Sequence, residues 1–203
     1  FIKNNILTPK YLKFSYRNNI NKLKLLNNLQ KKIGFPLVVK PLNEGSSVNV
    51  FICNKNNILK TLTKLNEYGE VLLEKYIPGR EIQVAILENK VLGAIELRPT
   101  RKFYDYQAKY NPKARTEHII PVEISKRKYQ ELTKIALKAH KILNCRGVTR
   151  SDFRYYKNSF YLLETNTQPG MTSLSLVPEI ANFNNITFKN LIKKILEDAS
   201  INK

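Results

Sequence analysis

Apolar residues recur along this chain with two different periods, and the switches between them predict alternating helices and strands. Residues 17–33 place Ile20, Leu23, Leu26, Leu29 and Ile33 at three- and four-residue spacing, the stripe of an amphipathic helix. Gly34 follows, a residue suited to ending a helix. The run Phe35-Pro36-Leu37-Val38-Val39-Lys40-Pro41 is short, apolar and bounded by prolines, which reads as a buried strand. Residues 43–49 form a turn-rich loop, 50–53 a short strand, and 56–68 a second helix with Ile58, Leu59, Leu62 and Leu65 on one face. Strands are expected at 70–76, 81–87 and 91–97, with turn chemistry at Pro78-Gly79 and Glu88-Asn89-Lys90. The longest helix is expected at 125–143, then strands at 147–155 and 159–164 joined as a hairpin through Lys157-Asn158. Pro169-Gly170 breaks the pattern, and helices near 175–182 and 187–199 complete it. The reading is an α+β chain of two α/β lobes. Residues 1–98 form a small α+β lobe; residues 99–203 form a second, opened by a polar and aromatic loop at 99–117.

Composition narrows the class. A chain of 203 residues with 42% hydrophobic and 25% charged residues has the make-up of a folded globular protein. Apolar runs such as 35–39 fall far short of the roughly 18 residues a membrane span needs. Cys53 and Cys145 are too few for a disulfide framework and lack CxxC spacing. A reducing, cytoplasmic setting without a membrane partner is the expectation. The net charge of +19, from 35 basic and 16 acidic residues, invites a nucleic-acid reading. Yet 26 Lys, 23 Asn and 20 Ile make up about a third of the chain, a bias that AT-rich codons alone would produce. The charge is also scattered, and Lys22, Lys24, Lys31 and Lys32 fall in a helical pattern as a solvated face. No nucleic-acid partner is expected; a basic nucleic-acid-binding protein remains the remote alternative.

Several segments could carry chemistry. In Arg150-Ser151-Asp152 and Glu164-Thr165-Asn166, strand alternation points residues i and i+2 to one face. Pairing these strands would gather Asp152, Glu164 and Asn166 into an oxygen-rich patch suited to a hard cation. The loop Asn43-Glu44-Gly45-Ser46-Ser47-Val48 offers N–H groups and hydroxyls to phosphate, with Lys40 close by in sequence. Around Leu73-Glu74-Lys75-Tyr76-Ile77, a strand edge could read an adenine, and a carboxylate such as Glu81 could accept from ribose hydroxyls. Residues 103–110 interleave aromatics and charges in a loop long enough to be a lid. Pro169-Gly170-Met171-Thr172-Ser173-Leu174-Ser175-Leu176 could set N–H groups and Ser175 against a carboxylate or oxyanion at a helix start.

Taken in order, KPLNEGSSV, LLEKYIPGRE, FYDYQAKY, RSDF and YLLETNTQPGMTSLSLVP resemble the D-alanine–D-alanine ligases of the ATP-grasp superfamily, from about residue 8 onward. The resemblance implies an ATP-grasp fold whose two lobes, with antiparallel sheets, clasp ATP between them. It implies an ATP-dependent, ADP-forming ligase that joins two D-alanines through an acyl phosphate for peptidoglycan precursors. Lys40 would contact phosphate, Ser46 and Ser47 would belong to the loop over the phosphates, and Lys109 would reach the γ-phosphate. Glu74, Lys75 and Ile77 would sit at the adenine and Glu81 at the ribose, while Tyr110 would help close the lid. Asp152, Glu164 and Asn166 would ligate two Mg²⁺ or Mn²⁺ ions. Arg150, Gly170, Ser175 and Leu176 would hold the amino-acid substrate and the developing tetrahedral centre, with Arg150, Ser46, Tyr110, Ser175 and Gly170 counted in the catalytic set. A homodimer is also implied.

Two departures qualify the resemblance. The family's preceding domain, which supplies a Glu, a His and a phosphate-contacting Lys, is not among these residues, and Phe1 corresponds to a point just after it. Asn49 stands where a glycine is common. Two alternatives follow: a truncated chain that binds Mg·ATP without turnover, or another ATP-grasp ligase joining a carboxylate to an amine.

Overall fold

Two antiparallel sheets organise the computed structural model, which describes residues 1–16, 21–99, 116–172 and 175–199. The first sheet has four strands in the order β1-β4-β2-β3: β1 Tyr11–Ser15, β2 Leu37–Pro41, β3 Phe51–Cys53 and β4 Glu70–Lys75. The second has five in the order β7-β6-β5-β8-β9: β5 Arg80–Leu87, β6 Lys90–Arg98, β7 Glu117–Ile119, β8 Val148–Tyr156 and β9 Ser159–Asn166. The described helices are α1 Lys22–Lys32, α2 Ile58–Lys64, α3 Lys126–Ile142, α4 Leu176–Phe183 and α5 Phe188–Asp198. The α+β class read from the sequence is the one observed. None of the described helices is long and apolar enough to cross a membrane.

Local chemistry explains the ends of the elements. Asn21 caps α1, its side-chain oxygen accepting from the N–H groups of Leu23 and Lys24, so the helix begins five residues after the start of its sequence pattern. Gly34, at φ +78°, ends it with its N–H on the Leu29 carbonyl. Ser125 caps α3 in the same way through the Lys128 N–H.

The chain divides into two compact units, and their boundary differs from the division expected at residue 98. Unit 1 comprises Phe1–Thr8, Pro78–Arg98 and Glu117–Lys203; unit 2 comprises Pro9–Ile77 and Pro99–Thr116. The reason is pairing: β5 is flanked by β6 and β8, so residues 80–98 belong with the C-terminal hairpin and not with the strands that precede them. The amino-terminal stretch joins unit 1 as well, where Ile6 is buried and the Leu162 N–H donates to the Leu7 carbonyl.

Each unit has its own core. In unit 1, α3 lays Leu132, Ala136 and Ala139 against Ile82, Val84, Phe153 and Leu162 on one sheet face. In unit 2, Leu25 and Leu29 of α1 and Ile58 and Leu62 of α2 cover Leu37, Val39, Val71 and Leu73. Burying each of the Leu, Ile, Val and Phe side chains stabilises its unit by about 1.5–3 kcal/mol. A buried charge cluster sits on the core face of β6: Glu96, fully buried, is paired with Arg80 and Arg98, and Arg98 also reaches Glu123 at 3.0 Å. Burial pushes the Glu96 carboxyl upward, but hydrogen bonds from both guanidinium groups outweigh it and hold it below the usual carboxylate range.

Candidate active site

The face of the unit 1 sheet opposite α3 is built by alternation along β5 and β8. Register sets Glu81 opposite Arg154, Gln83 opposite Asp152 and Ala85 opposite Arg150. On the other side of β8, Asp152 faces Glu164 and Arg150 faces Asn166. A bulge at Leu163 makes this possible. Phe153 pairs with Leu162 while Asp152 pairs with Glu164, so one extra residue lies in β9. Strict alternation from buried Leu162 would turn Glu164 toward the core; the bulge moves it to the face of Asp152.

Arg150 grips Asp152 with both arms of its guanidinium, Nε to Oδ1 at 2.8 Å and Nη2 to Oδ2 at 2.9 Å. Asp152 is buried, Glu164 is exposed, and the Asn166 amide donates to Glu164 Oε1 at 3.4 Å. No cluster of three His, Cys, Asp or Glu among the described residues could hold a metal ion by itself. The three expected ligands are two carboxylates and an amide. That set fits Mg²⁺ or Mn²⁺, which fill remaining positions with water and phosphate oxygens. Beside them, Glu81 is paired with Arg154 at 2.8 Å.

The turn after β9 brings Gly170 and Ser175 together. A Cβ on Gly170 would meet Ser175 Oγ at 2.8 Å, so only glycine permits this approach. Ser175 Oγ accepts from the Thr172 N–H at 2.9 Å and does not cap α4; Leu176, the first helical residue, is buried. His118 of β7 is held to Glu179, in the first turn of α4, at 2.7 Å.

In unit 2, Lys40 and Glu74 share the sheet face away from α1 and α2, while Lys75, opposite Leu37, belongs to the helix-covered face. Val38 stands opposite Glu74 and Lys40 opposite Leu72, and Lys40 Nζ meets Glu74 Oε2 at 2.7 Å. Glu74 and Lys75 do not lie on a strand edge, as the sequence suggested. They sit in a strand paired on both sides, because Tyr11–Ser15, a strand the sequence reading missed, covers the second side. Lys75 Nζ donates to the Phe35 carbonyl at 2.9 Å, and Ile77 lies beyond the end of the ladder. In the Ser46-Ser47 loop the backbone is left-handed at Ser46 (φ +53°), Ser47 (+60°) and Asn49 (+53°). Asn49 adopts a conformation that glycine favours and anchors it by donating to the Tyr68 hydroxyl at 2.7 Å. Lys109 and Tyr110 lie outside the described residues.

Arg154 and Gln83 were missed on the sequence, although each lies two residues along a strand from a chosen residue (Asp152 and Glu81) and therefore on the same face.

The family model described as D-ala D-ala ligase C-terminus matches residues 2–197. The chain belongs to this family. A D-alanine–D-alanine ligase from Pelagibacter ubique (strain HTCC1062) is 62% identical over all 203 residues, which cover 66% of that protein. The D-alanine–D-alanine ligase from Bacillus anthracis has the same fold, with TM-score 0.83 and 35% identity over 97% of this chain and 63% of that one. In its complex with ATP the values are 0.79 and 30%, over 97% and 62%. The fold is therefore that of the ATP-grasp D-alanine ligases, as the motifs implied, and the chain spans about two thirds of the length of these relatives.

Proposed function

We propose that this chain carries the nucleotide, metal and second-substrate machinery of a cytoplasmic ATP-dependent ligase that joins two D-alanines for peptidoglycan precursors. The observation that carries the reading is Asp152 facing Glu164 across a bulged hairpin, with Arg150 and Asn166 beside them. The names of the family and of its relatives supply the substrate.

In this reading the carboxylate of the first D-alanine attacks the γ-phosphorus of ATP, ADP departs, and an acyl phosphate forms. The amine of the second D-alanine then attacks the acyl carbon, inorganic phosphate departs, and the peptide bond is made. The residues position and neutralise; they do little covalent work. Lys40 and Lys109 offset phosphate charge, and the left-handed turn of Ser46 and Ser47 presents backbone N–H groups to phosphate oxygens. Glu74, Lys75 and Ile77 take the adenine, Glu81 the ribose, and Tyr110 helps to exclude water from the acyl phosphate. Asp152, Glu164 and Asn166 would hold two Mg²⁺ or Mn²⁺ ions, which supply charge neutralisation to the phosphoryl group. Arg150 stabilises the developing oxyanion, and Gly170, Ser175 and Leu176 receive the amino-acid carboxylate at the start of α4. A homodimer belongs to the same proposal and is checked by light scattering.

The test is D-alanine-dependent phosphate release, abolished by Glu164→Ala. Release that ignores D-alanine but follows another carboxylic acid moves the chain to a different ATP-grasp ligase. A second reading is nucleotide binding without turnover by these 203 residues assayed alone. Calorimetry with a non-hydrolysable ATP analogue, followed by a turnover assay of the same 203 residues, separates the two.

A further inference from the structure

Gln83 is the one residue on the charged face of the unit 1 sheet whose burial has no evident compensation. It is 1% exposed, and among the described residues its Oε1 has no hydrogen-bond partner. Buried carbonyl oxygens in native folds are nearly always paired, so an orphan of this kind calls for a reason. Its place suggests one. Gln83 stands directly opposite Asp152, and Arg150 is one diagonal step away, opposite Ala85. Diagonal cross-strand neighbours lie within reach of a long side chain. Arg150 meanwhile spends Nε and Nη2 on both oxygens of Asp152, the two atoms a divalent cation would also draw on.

We infer that Gln83 is a positioning residue that receives an Arg150 N–H when Asp152 turns to a divalent cation. The inference rests on the assignment of Asp152 as a metal ligand. Without the cation, the guanidinium neutralises Asp152 and the amide oxygen stays unused. With the cation, Asp152 no longer needs the guanidinium, and two positive centres on one carboxylate repel. Gln83 Oε1 then gives the displaced N–H a buried acceptor, which lowers the cost of loading the ion and holds the guanidinium near the reacting centre. The orphan acceptor of one state is the satisfied acceptor of the other.

The test is Mn²⁺ titration of the 203-residue chain with a non-hydrolysable ATP analogue, free Mn²⁺ being read by electron paramagnetic resonance. Gln83→Met keeps the volume and Gln83→Leu shortens it; both are expected to weaken Mn²⁺ roughly tenfold, the scale of losing an outer-sphere partner. The melting temperature of the metal-free chain should stay level or rise, because the substitutions remove an unsatisfied buried group. In an Arg150→Ala background, Gln83→Met should change Mn²⁺ affinity no further. Unchanged Mn²⁺ affinity in both variants overturns the inference, as does a fall in metal-free melting temperature of several degrees in both, which marks Oε1 as a structural group. A wild-type chain that takes up no Mn²⁺ with the nucleotide overturns the ion site itself, and that result is distinct from either.

Discussion

The two sheets differ in the chemistry of the faces they turn away from α3 and from α1 and α2. The first of these faces is covered in part by α4, where Ile180 lies against Gly93 of β6. In unit 2 the corresponding face sets Val38, Ile52 and Leu72 beside two ion pairs, Lys40 with Glu74 and Lys13 with Glu70. In unit 1 the face along β5, β8 and β9 is almost wholly charged or amide-bearing: Glu81, Gln83, Arg150, Asp152, Arg154, Glu164 and Asn166. A floor of apolar side chains edged by ion pairs gains from covering a flat heteroaromatic ring, where burial supplies the affinity and the pairs supply direction. A charged floor gains from ions and phosphoryl groups, whose fields are strong where water is scarce. Under the proposed function one ladder geometry would serve two kinds of recognition, with the side chains on alternate positions deciding which.

Experiments can press on this contrast from its base upward. The deepest is that each face rests on its own core. Phe153→Ala should destabilise unit 1 by about 3–5 kcal/mol, and Leu29→Ala should destabilise unit 2 by about 2–5 kcal/mol. Hydrogen exchange that showed either change loosening both sheets equally would dissolve the comparison. Next, Glu164→Ala should lower turnover roughly a hundred- to a thousandfold while analogue affinity falls far less, as expected for charge stabilised mainly in the transition state. Lys40→Met should do the reverse, weakening the nucleotide about tenfold by calorimetry and leaving the KM for D-alanine unchanged, since it leaves Glu74 buried and unpaired. Gly170→Ala, which forces Ser175 Oγ away, should raise the KM for D-alanine several-fold.

The smallest effect is in pH. His140 is fully buried under the unit 1 sheet, with Nδ1 on Thr149 Oγ1 at 2.8 Å and Nε2 unpartnered, and burial holds its pKa below the ordinary 6.5. Below pH 6.5 the unfolded chain takes up a proton that the folded chain refuses, so stability falls with acidification until the lower folded pKa is reached. Denaturant titrations at pH 7.5 and 5.5 should differ more for the wild type than for His140→Gln. An equal difference in both would assign the acid sensitivity elsewhere.

The sequence disclosed the elements well where periodicity was long or turn chemistry sharp. The α3 helix, the Lys157-Asn158 hairpin and the Gly34 stop are all where the pattern put them. Pairing the hairpin set β8 beside β9, but only the bulge turns Glu164 to the face of Asp152. The bulge was invisible, because one extra residue in a strand leaves no mark on composition. The Tyr11–Ser15 strand went unread since five residues with mixed exposure carry little period, and with it went the fact that Glu74 is interior. The boundary at residue 98 failed for a deeper reason. Strand partners far apart in sequence, such as Gln83 and Asp152, cannot be seen from local pattern.

That same interleaving orders events as the chain is made. Every strand of the unit 2 sheet lies between residues 11 and 75, so its ladder has all its partners once that stretch has left the ribosome. The β5–β6 hairpin is finished soon after, yet one flank of β5 stays bare until residues 148–156 emerge, and Ile6 waits longer for its place in the core. A newly made chain therefore carries an apolar, half-paired strand until residue 156 has emerged, and the unit that bears the proposed ion site closes after the other.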